Sequence, residues 1–500
     1  MTAQRDAAWE RLGRGGFDLL VIGAGIIGSR IAYDAARAGL DVALVDAGDF
    51  GGATSSGSSK LIHGGFRYLP MGDLGLVWES QRERAALMAR IAPQLVQRMP
   101  IVLAAYHGGP TGPALAGAGV LAYGALCGFR GTGVGLVGAR GAQRLIPSLN
   151  TRGLTVCGLF DEGQTNDARL VFATVAAGVD LGVAALNHAR VTGLEFRRGG
   201  QVLASIQGGP NEGSIEVGFT HVINAAGAWV DSVRRLEDRS CEPMTRLSKG
   251  VHLLLEAPPA WRAGLVVPVE DGRVTMAIPW QGMLMLGTTD TEYEGDPGGC
   301  SVNEADVTQV LAEASVALPR EMIRADAVRF SFAGLRVLPV GEGSTASAHR
   351  EHMVRVGPRG MVSIAGGKLT THRRIALAVL QRIADPRLAN LGLGGEALHE
   401  GAGGLGALDA DVDPSVASHL AQIYGSGSLR VVAQRCLHSN AMERIHPDGP
   451  DVWGQAYHAV EREWAATVDD VVRRRTTLAV RGLATPAVRA QIAQAINAAG

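Results

Sequence analysis

A short apolar run over residues 17–22 has the pattern of a strand buried on both faces, and it empties into Gly23-Ala24-Gly25-Ile26-Ile27-Gly28. Past these glycines, Ile31, Ala32, Ala35 and Ala36 recur at helical spacing until Gly39 stops the helix. Residues 42–45 predict a second strand that ends on Asp46, so the pattern switches from strand to helix to strand within about thirty residues. From residue 190 onward the texture changes. Period-two segments at residues 251–256, 274–278 and 283–286 alternate with turn residues, Trp280-Gln281-Gly282 predicts a hairpin, and together they predict an antiparallel sheet. Residues 222–224 before Ala225-Ala226-Gly227, and residues 362–364 before Ala365-Gly366-Gly367-Lys368, each predict a core strand that returns to the first unit. Residues 79–95 carry a helical pattern. A glycine-rich passage at residues 392–406 leads into helical periodicity at 415–424 and 455–475.

The expected fold is α/β: a Rossmann-type domain assembled from residues 17–80, 150–235 and 355–390, an antiparallel-sheet substrate or cap domain from residues 81–149 and 236–354, and a C-terminal helical domain over residues 405–500. In the first unit Gly23 makes the tight turn, Gly25 lets backbone N–H groups approach a pyrophosphate, and Gly28 allows close helix packing. Asp46, twenty-three residues after the first glycine, is placed to accept hydrogen bonds from ribose hydroxyls.

Composition narrows the function. The 500 residues carry 47 Lys plus Arg against 48 Asp plus Glu, which removes the basic footprint of a nucleic-acid binder, so any anion site must be local. Cys127, Cys157, Cys241, Cys300 and Cys436 are far apart in sequence, with no paired spacing that would make a metal centre, and they suit a reducing compartment. The first sixteen residues hold Arg5, Asp6, Glu10, Arg11 and Arg14 and no apolar core, which points to a cytoplasmic location. Residues 108–129 contain no charged side chain, yet their seven glycines and two prolines argue against a span and for a shallow interfacial face.

Thr54-Ser55-Ser56-Gly57-Ser58-Ser59-Lys60 runs into Leu61-Ile62-His63-Gly64-Gly65-Phe66-Arg67-Tyr68, a small hydroxylated stretch that can wrap a flat polar cofactor. With Asn166-Asp167-Ala168-Arg169, Lys249-Gly250-Val251-His252, Gly287-Thr288-Thr289-Asp290, Gly334-Leu335-Arg336 and Gly367-Lys368-Leu369-Thr370, this block resembles the FAD-dependent glycerol-3-phosphate dehydrogenases, within the wider superfamily that includes D-amino-acid oxidases. The resemblance covers nearly the whole chain. It implies FAD bound by Gly23, Gly25, Gly28, Asp46, Thr54, Ser55, Ser56, Ser58, Ser59, Lys60, His63, Gly64, Gly65, Arg190, Ala226, Gly227, Gly367, Lys368, Leu369 and Thr370. It also implies that glycerol 3-phosphate is oxidised at carbon-2, with Arg67, Tyr68, Thr289, Arg336, Arg350 and Lys368 binding it. A base is required for the hydroxyl proton; His252 and His63 are the candidates, with Arg336 beside them in catalysis. Electrons would pass to a membrane quinone from a protein resting on the inner face of the cell membrane, and a homodimer is compatible with this. Oxygen as acceptor, a related flavin oxidase, and a flavoprotein without turnover are the alternatives. Asn166, Ala228, Val337 and His372 depart from the family pattern, but none of them removes a cation or a cofactor glycine.

Overall fold

The computed structural model describes residues 3–66, 73–126, 134–208, 213–341, 352–398 and 412–499. A six-stranded sheet runs in the order Met353–Val356, Val362–Ala365, His221–Asn224, Leu19–Ile22, Val42–Val45, Ala184–Leu186. Its neighbours are parallel except for the outermost pair at the first edge. Leu19 and Val21 point into a core shared with helices Ile26–Arg37, Asp167–Asp180 and His372–Leu380, while Leu20 and Ile22 point into a second core shared with helix Ala3–Arg14 and a three-stranded meander. Burial on both faces is why this strand is apolar at every position. One neighbour of Leu19–Ile22 follows directly in the chain and the other comes from far downstream, so the crevice at its carboxyl end is a topological switch point.

The ten-stranded second sheet is built around Thr245–Glu256, which pairs antiparallel with Met283–Gly287 and with Phe330–Pro339. Trp280 faces Met283 across a two-residue loop in which Gln281 and Gly282 take φ of 52° and 77°, the two positive values of a type I′ hairpin turn. Residues 150–165 were grouped by sequence with the first domain, but Leu154–Thr165 pairs along its length with Val96–Tyr106 in the second sheet. Val251, Leu253 and Leu255 face a core capped by helix Glu304–Ala314. Leu254 joins Phe160, Ile278 and Met285 on the other face, beneath Val77 of helix Leu74–Ala86 and Val120 and Tyr123 of helix Pro113–Leu126. That last helix carries most of the uncharged stretch. It is two-faced, with Ala116, Val120 and Tyr123 buried and Leu115 and Leu121 exposed. No helix among the described residues is long and apolar enough to cross a membrane.

Two expected helices are divided. The pattern over residues 79–95 becomes helix Leu74–Ala86 followed by a π turn, Leu87–Ile91, before strand Val96–Tyr106 begins. The pattern over 455–475 breaks after Trp453–Arg462: Trp464 takes a φ of 56°, and Thr467 and Asp470 form a capping box that starts a new turn. The break has a tertiary cause. The Trp464 ring packs edge-on against Phe50 of the first unit at 5.5 Å, and its carbonyl accepts from Asn187 Nδ2 at 2.9 Å.

Candidate active site

At the switch point, Ala24 N–H donates to Asp46 Oδ2 at 2.7 Å and Gly48 N–H donates to Oδ1 at 2.8 Å. Burial pushes the Asp46 carboxyl up to about 6. Gly23 sits at φ 101° with residues 225–226 against it, and any Cβ at Gly28 would collide with the Gly23 carbonyl. Around Gly25, by contrast, only Ser55 lies within 4 Å, with its Oγ 3.1 Å from where a Cβ would stand. Ser55 Oγ accepts the Ile26 N–H at 3.0 Å, so the first donor of the helix already meets an oxygen. A glycine cradle open at the N-terminus of a helix, with an acid at the next strand end, fits the pyrophosphate and ribose of a dinucleotide.

The loop at residues 54–60 bridges the two sheets. Thr54 Oγ1 donates to Leu335 O at 2.7 Å, and Gly57 lies directly on Gly334, where a side chain on either would not fit without movement. Ser58 Oγ donates to Asp167 Oδ2 at 2.6 Å, and Lys60 Nζ donates to Asp167 Oδ1 at 2.7 Å and to Ser56 O at 2.6 Å. Thr54, Ser58 and Lys60, all expected at the cofactor, therefore hold the loop itself in shape. Asp167 is fully buried and organises this loop. Its role is not legible in the Asn166-Asp167-Ala168-Arg169 motif, because its burial and its contact with a loop more than a hundred residues away exist only in the fold.

On the second sheet, Ser248, Gly250 and His252 lie on one face of Thr245–Glu256, opposite Arg336, Gly334 and Phe332 of Phe330–Pro339. His252 is buried, its ring stacks on Phe332 at 4.9 Å, and its Nε2 lies 2.9 Å from Ser59 Oγ. Burial, with the Arg336 and Lys60 charges nearby, pushes its pKa down to about 3, so the imidazole stays neutral. The Arg336 guanidinium extends over Gly250, donates to Thr288 Oγ1 at 2.9 Å, and stands 3.8 Å from Asp290. Ser248 hydrogen-bonds Asp290 as well. Ser248, Thr288 and Asp290 thus orient Arg336, a set that the sequence did not single out.

The remaining expected residues are distributed as follows. Thr289 is buried and its Oγ1 accepts the Val251 N–H at 3.0 Å. Thr370 Oγ1 donates to His63 O at 3.1 Å, joining the two loops that flank the crevice. Lys368 is buried at the turn that follows Gly367, four residues before helix His372–Leu380 begins. Ala226 N–H donates to Asn224 Oδ1, and Gly227 takes a φ of 55°. Arg190 is exposed at the start of the meander, one residue after Ala189, whose N–H donates to Asp46 O at 2.7 Å. Arg67, Tyr68 and Arg350 lie outside the described residues. Lys249 points to the opposite face of the sheet and pairs with buried Asp306 at 2.6 Å. Asp49, His188 and Asp470 offer ligand atoms within 4.8 Å of one another, but Arg474 and Arg475 already neutralise the carboxylates.

Residues 18–373 match a family described as FAD dependent oxidoreductase, and residues 366–499 match the C-terminal domain of alpha-glycerophosphate oxidase. Glycerol-3-phosphate dehydrogenase 2 of Mycobacterium tuberculosis is 32% identical over 493 residues, covering 96% of this chain and 84% of that protein. Aerobic glycerol-3-phosphate dehydrogenase of Staphylococcus saprophyticus is 29% identical, covering 92% and 86%. Among solved structures, glycerol-3-phosphate dehydrogenase from Bacillus halodurans complexed with FAD aligns with a TM-score of 0.74 at 26% identity, covering 99% of this chain and 97% of that one.

Proposed function

Because the chain belongs to the FAD-dependent glycerol-3-phosphate dehydrogenase and oxidase family, we propose that it oxidises sn-glycerol 3-phosphate to dihydroxyacetone phosphate and passes the electrons to a membrane quinone. The chemistry that FAD supplies when bound is acceptance of a hydride equivalent. The residues that would hold it are Asp46, the turn from Gly23 to Gly28, the 54–60 loop, His63 to Gly65, Ala226, Gly227, Arg190 and the turn from Gly367 to Thr370. One observation carries the substrate assignment: an oriented guanidinium, Arg336, lies on the same face of the sheet as a neutral buried imidazole, His252, on the neighbouring strand. The planar fork of Arg336 suits two phosphate oxygens, and Lys368, Arg67 and Arg350 would add point charge or further forks. His252 takes the proton of the carbon-2 hydroxyl as the carbon-bound hydrogen leaves with its electron pair, the substrate hydroxyl replacing Ser59 Oγ as the partner of Nε2. Tyr68 and Thr289 would supply hydroxyl contacts to the substrate, and His63 is the alternative base.

The quinone assignment is supported by the surface. Leu74, Trp78, Leu115, Leu121 and Leu136 are exposed around two helices that share one apolar core, and the Arg82 guanidinium sits 4.5 Å over the Trp78 ring. Apolar side chains with a cation at the rim suit the headgroup region on the inner face of a membrane. Anaerobic titration tests the whole reading. Glycerol 3-phosphate should bleach the flavin absorption and glycerol should not, and a short-chain quinone should restore the colour faster than air. Absence of bleaching removes the activity, whereas rapid peroxide formation in air makes the protein an oxidase.

A further inference from the structure

The loop from His63 to Phe66 is held from behind by three elements that the reaction does not use. Glu162 Oε2, on strand Leu154–Thr165, accepts the Gly64 N–H at 2.6 Å. The same oxygen accepts from Arg84 Nη1 at 2.6 Å, on helix Leu74–Ala86, while Oε1 accepts the Tyr123 hydroxyl at 2.8 Å, on helix Pro113–Leu126. Glu162, Arg84, Gln81 and Tyr123 are all buried. A Cβ on Gly64 would collide with Tyr123 and Gln81, so the backbone lies directly on the cluster. Phe66 completes the contact, stacked on Phe160 at 4.9 Å and edge-on to Tyr123 at 5.3 Å. On its open side the loop is tied to the Gly367 to Thr370 turn by the Thr370–His63 bond.

A backbone amide that faces a charged acceptor in a dry setting cannot turn away without leaving both groups unmatched, so this bond fixes one orientation of the Gly64 peptide. We infer that Glu162 is a positioning residue: through the Gly64 amide it sets the conformation of the flavin-side loop, and through Tyr123 it ties that loop to the helix whose outer face carries Leu115 and Leu121. Burial raises the pKa of the Glu162 carboxyl, and Arg84, the Tyr123 hydroxyl and the Gly64 amide oppose that rise. The inference rests on the proposed function only in taking this loop as the one beside the flavin.

The test uses full-length protein stripped of FAD and titrated with FAD, read by flavin fluorescence and by visible circular dichroism of the bound cofactor. Glu162→Met removes the acceptor and should weaken FAD binding about tenfold or more, the size of one lost hydrogen bond to a charged group, and should change the visible dichroism. The KM for glycerol 3-phosphate should stay within about twofold, since Arg336 and its orienting partners are untouched. Tyr123→Phe removes a donor from the same carboxylate but leaves the Gly64 bond, and should lower the melting temperature without altering either flavin signal. If Glu162→Met does not fold, Glu162→Asp keeps the charge beside Arg84 while drawing the oxygen back from Gly64, and should give the same signature. Wild-type affinity and dichroism in the folded Glu162 variant overturn the inference. So does an equal change in Tyr123→Phe, which would trace the effect to packing. Failure of the wild type to bind FAD at all would instead count against the functional reading.

Discussion

Gly250 matters for what it lacks. A Cβ there would lie 2.5 Å from Arg336 Nη2 and 2.8 Å from its central carbon, and the guanidinium is the flexible end of a side chain that can be pushed aside. Within a strand, alanine costs less backbone entropy than glycine, so the fold should accept the change. Gly250→Ala is therefore expected to displace Arg336 rather than unfold the protein. It should lower kcat/KM for glycerol 3-phosphate by roughly thirtyfold, about 2 kcal/mol of lost phosphate recognition, with a melting temperature close to wild type. Unchanged kinetics in a folded Gly250→Ala protein would remove the guanidinium from the site. His252 and Arg336 were legible in sequence because they sit in short motifs. Thr288 and Asp290 also sit in a quoted motif, but their role, like that of Ser248, is to orient another side chain, and that is visible only once strands distant in sequence are paired.

The docking of elements depends on buried charge. Arg475 is fully buried and donates to both oxygens of Asp49, to Oδ1 at 2.9 Å. Arg474 reaches the same carboxylate at 2.5 Å and Asp470 at 2.8 Å. Burial works against the Asp49 charge, but Arg475 and Arg474 hold its pKa below the ordinary carboxylate range. Asp49 lies three residues beyond Asp46, so the helical domain grips the first domain beside the crevice at the switch point. Arg475→Met leaves Asp49 buried with fewer partners and should cost about 3–5 kcal/mol, seen as a lower melting temperature of the holoenzyme. Adding Asp49→Leu should recover part of that loss, because the uncompensated charge is then gone. A melting temperature unmoved by Arg475→Met would show that the contact does not hold the domain. At this scale the sequence was partly readable. The βαβ unit and the Gln281-Gly282 hairpin follow from local chemistry, whereas the helix break at Trp464 follows from its ring meeting Phe50 in another domain.

Over the whole molecule the open question is what the apolar surface meets. No helix among the described residues is long and apolar enough to span a bilayer, so the proposed contact of helix Pro113–Leu126 with lipid would be lateral. Leu115 and Leu121 are 65% and 49% exposed, on the face opposite Val120 and Tyr123. Wild type should float with anionic vesicles, while Leu115→Asp combined with Leu121→Asp should stay in the dense fraction and still bleach its flavin with substrate. Failure of the wild type to float would remove the membrane from the proposal. The sequence by itself determined the dinucleotide turn, the buried parallel strands, the helical C-terminal unit and the motifs that mark the family, since each depends on periodicity or on residues close in the chain. Only the tertiary structure decided that residues 150–165 join the second sheet, that Lys60 serves Asp167, that Arg336 lies over Gly250, and that Glu162 reaches Gly64. Those outcomes depend on pairings between segments distant in sequence, where a charge or a hydroxyl takes whichever buried partner the packing brings within hydrogen-bond reach.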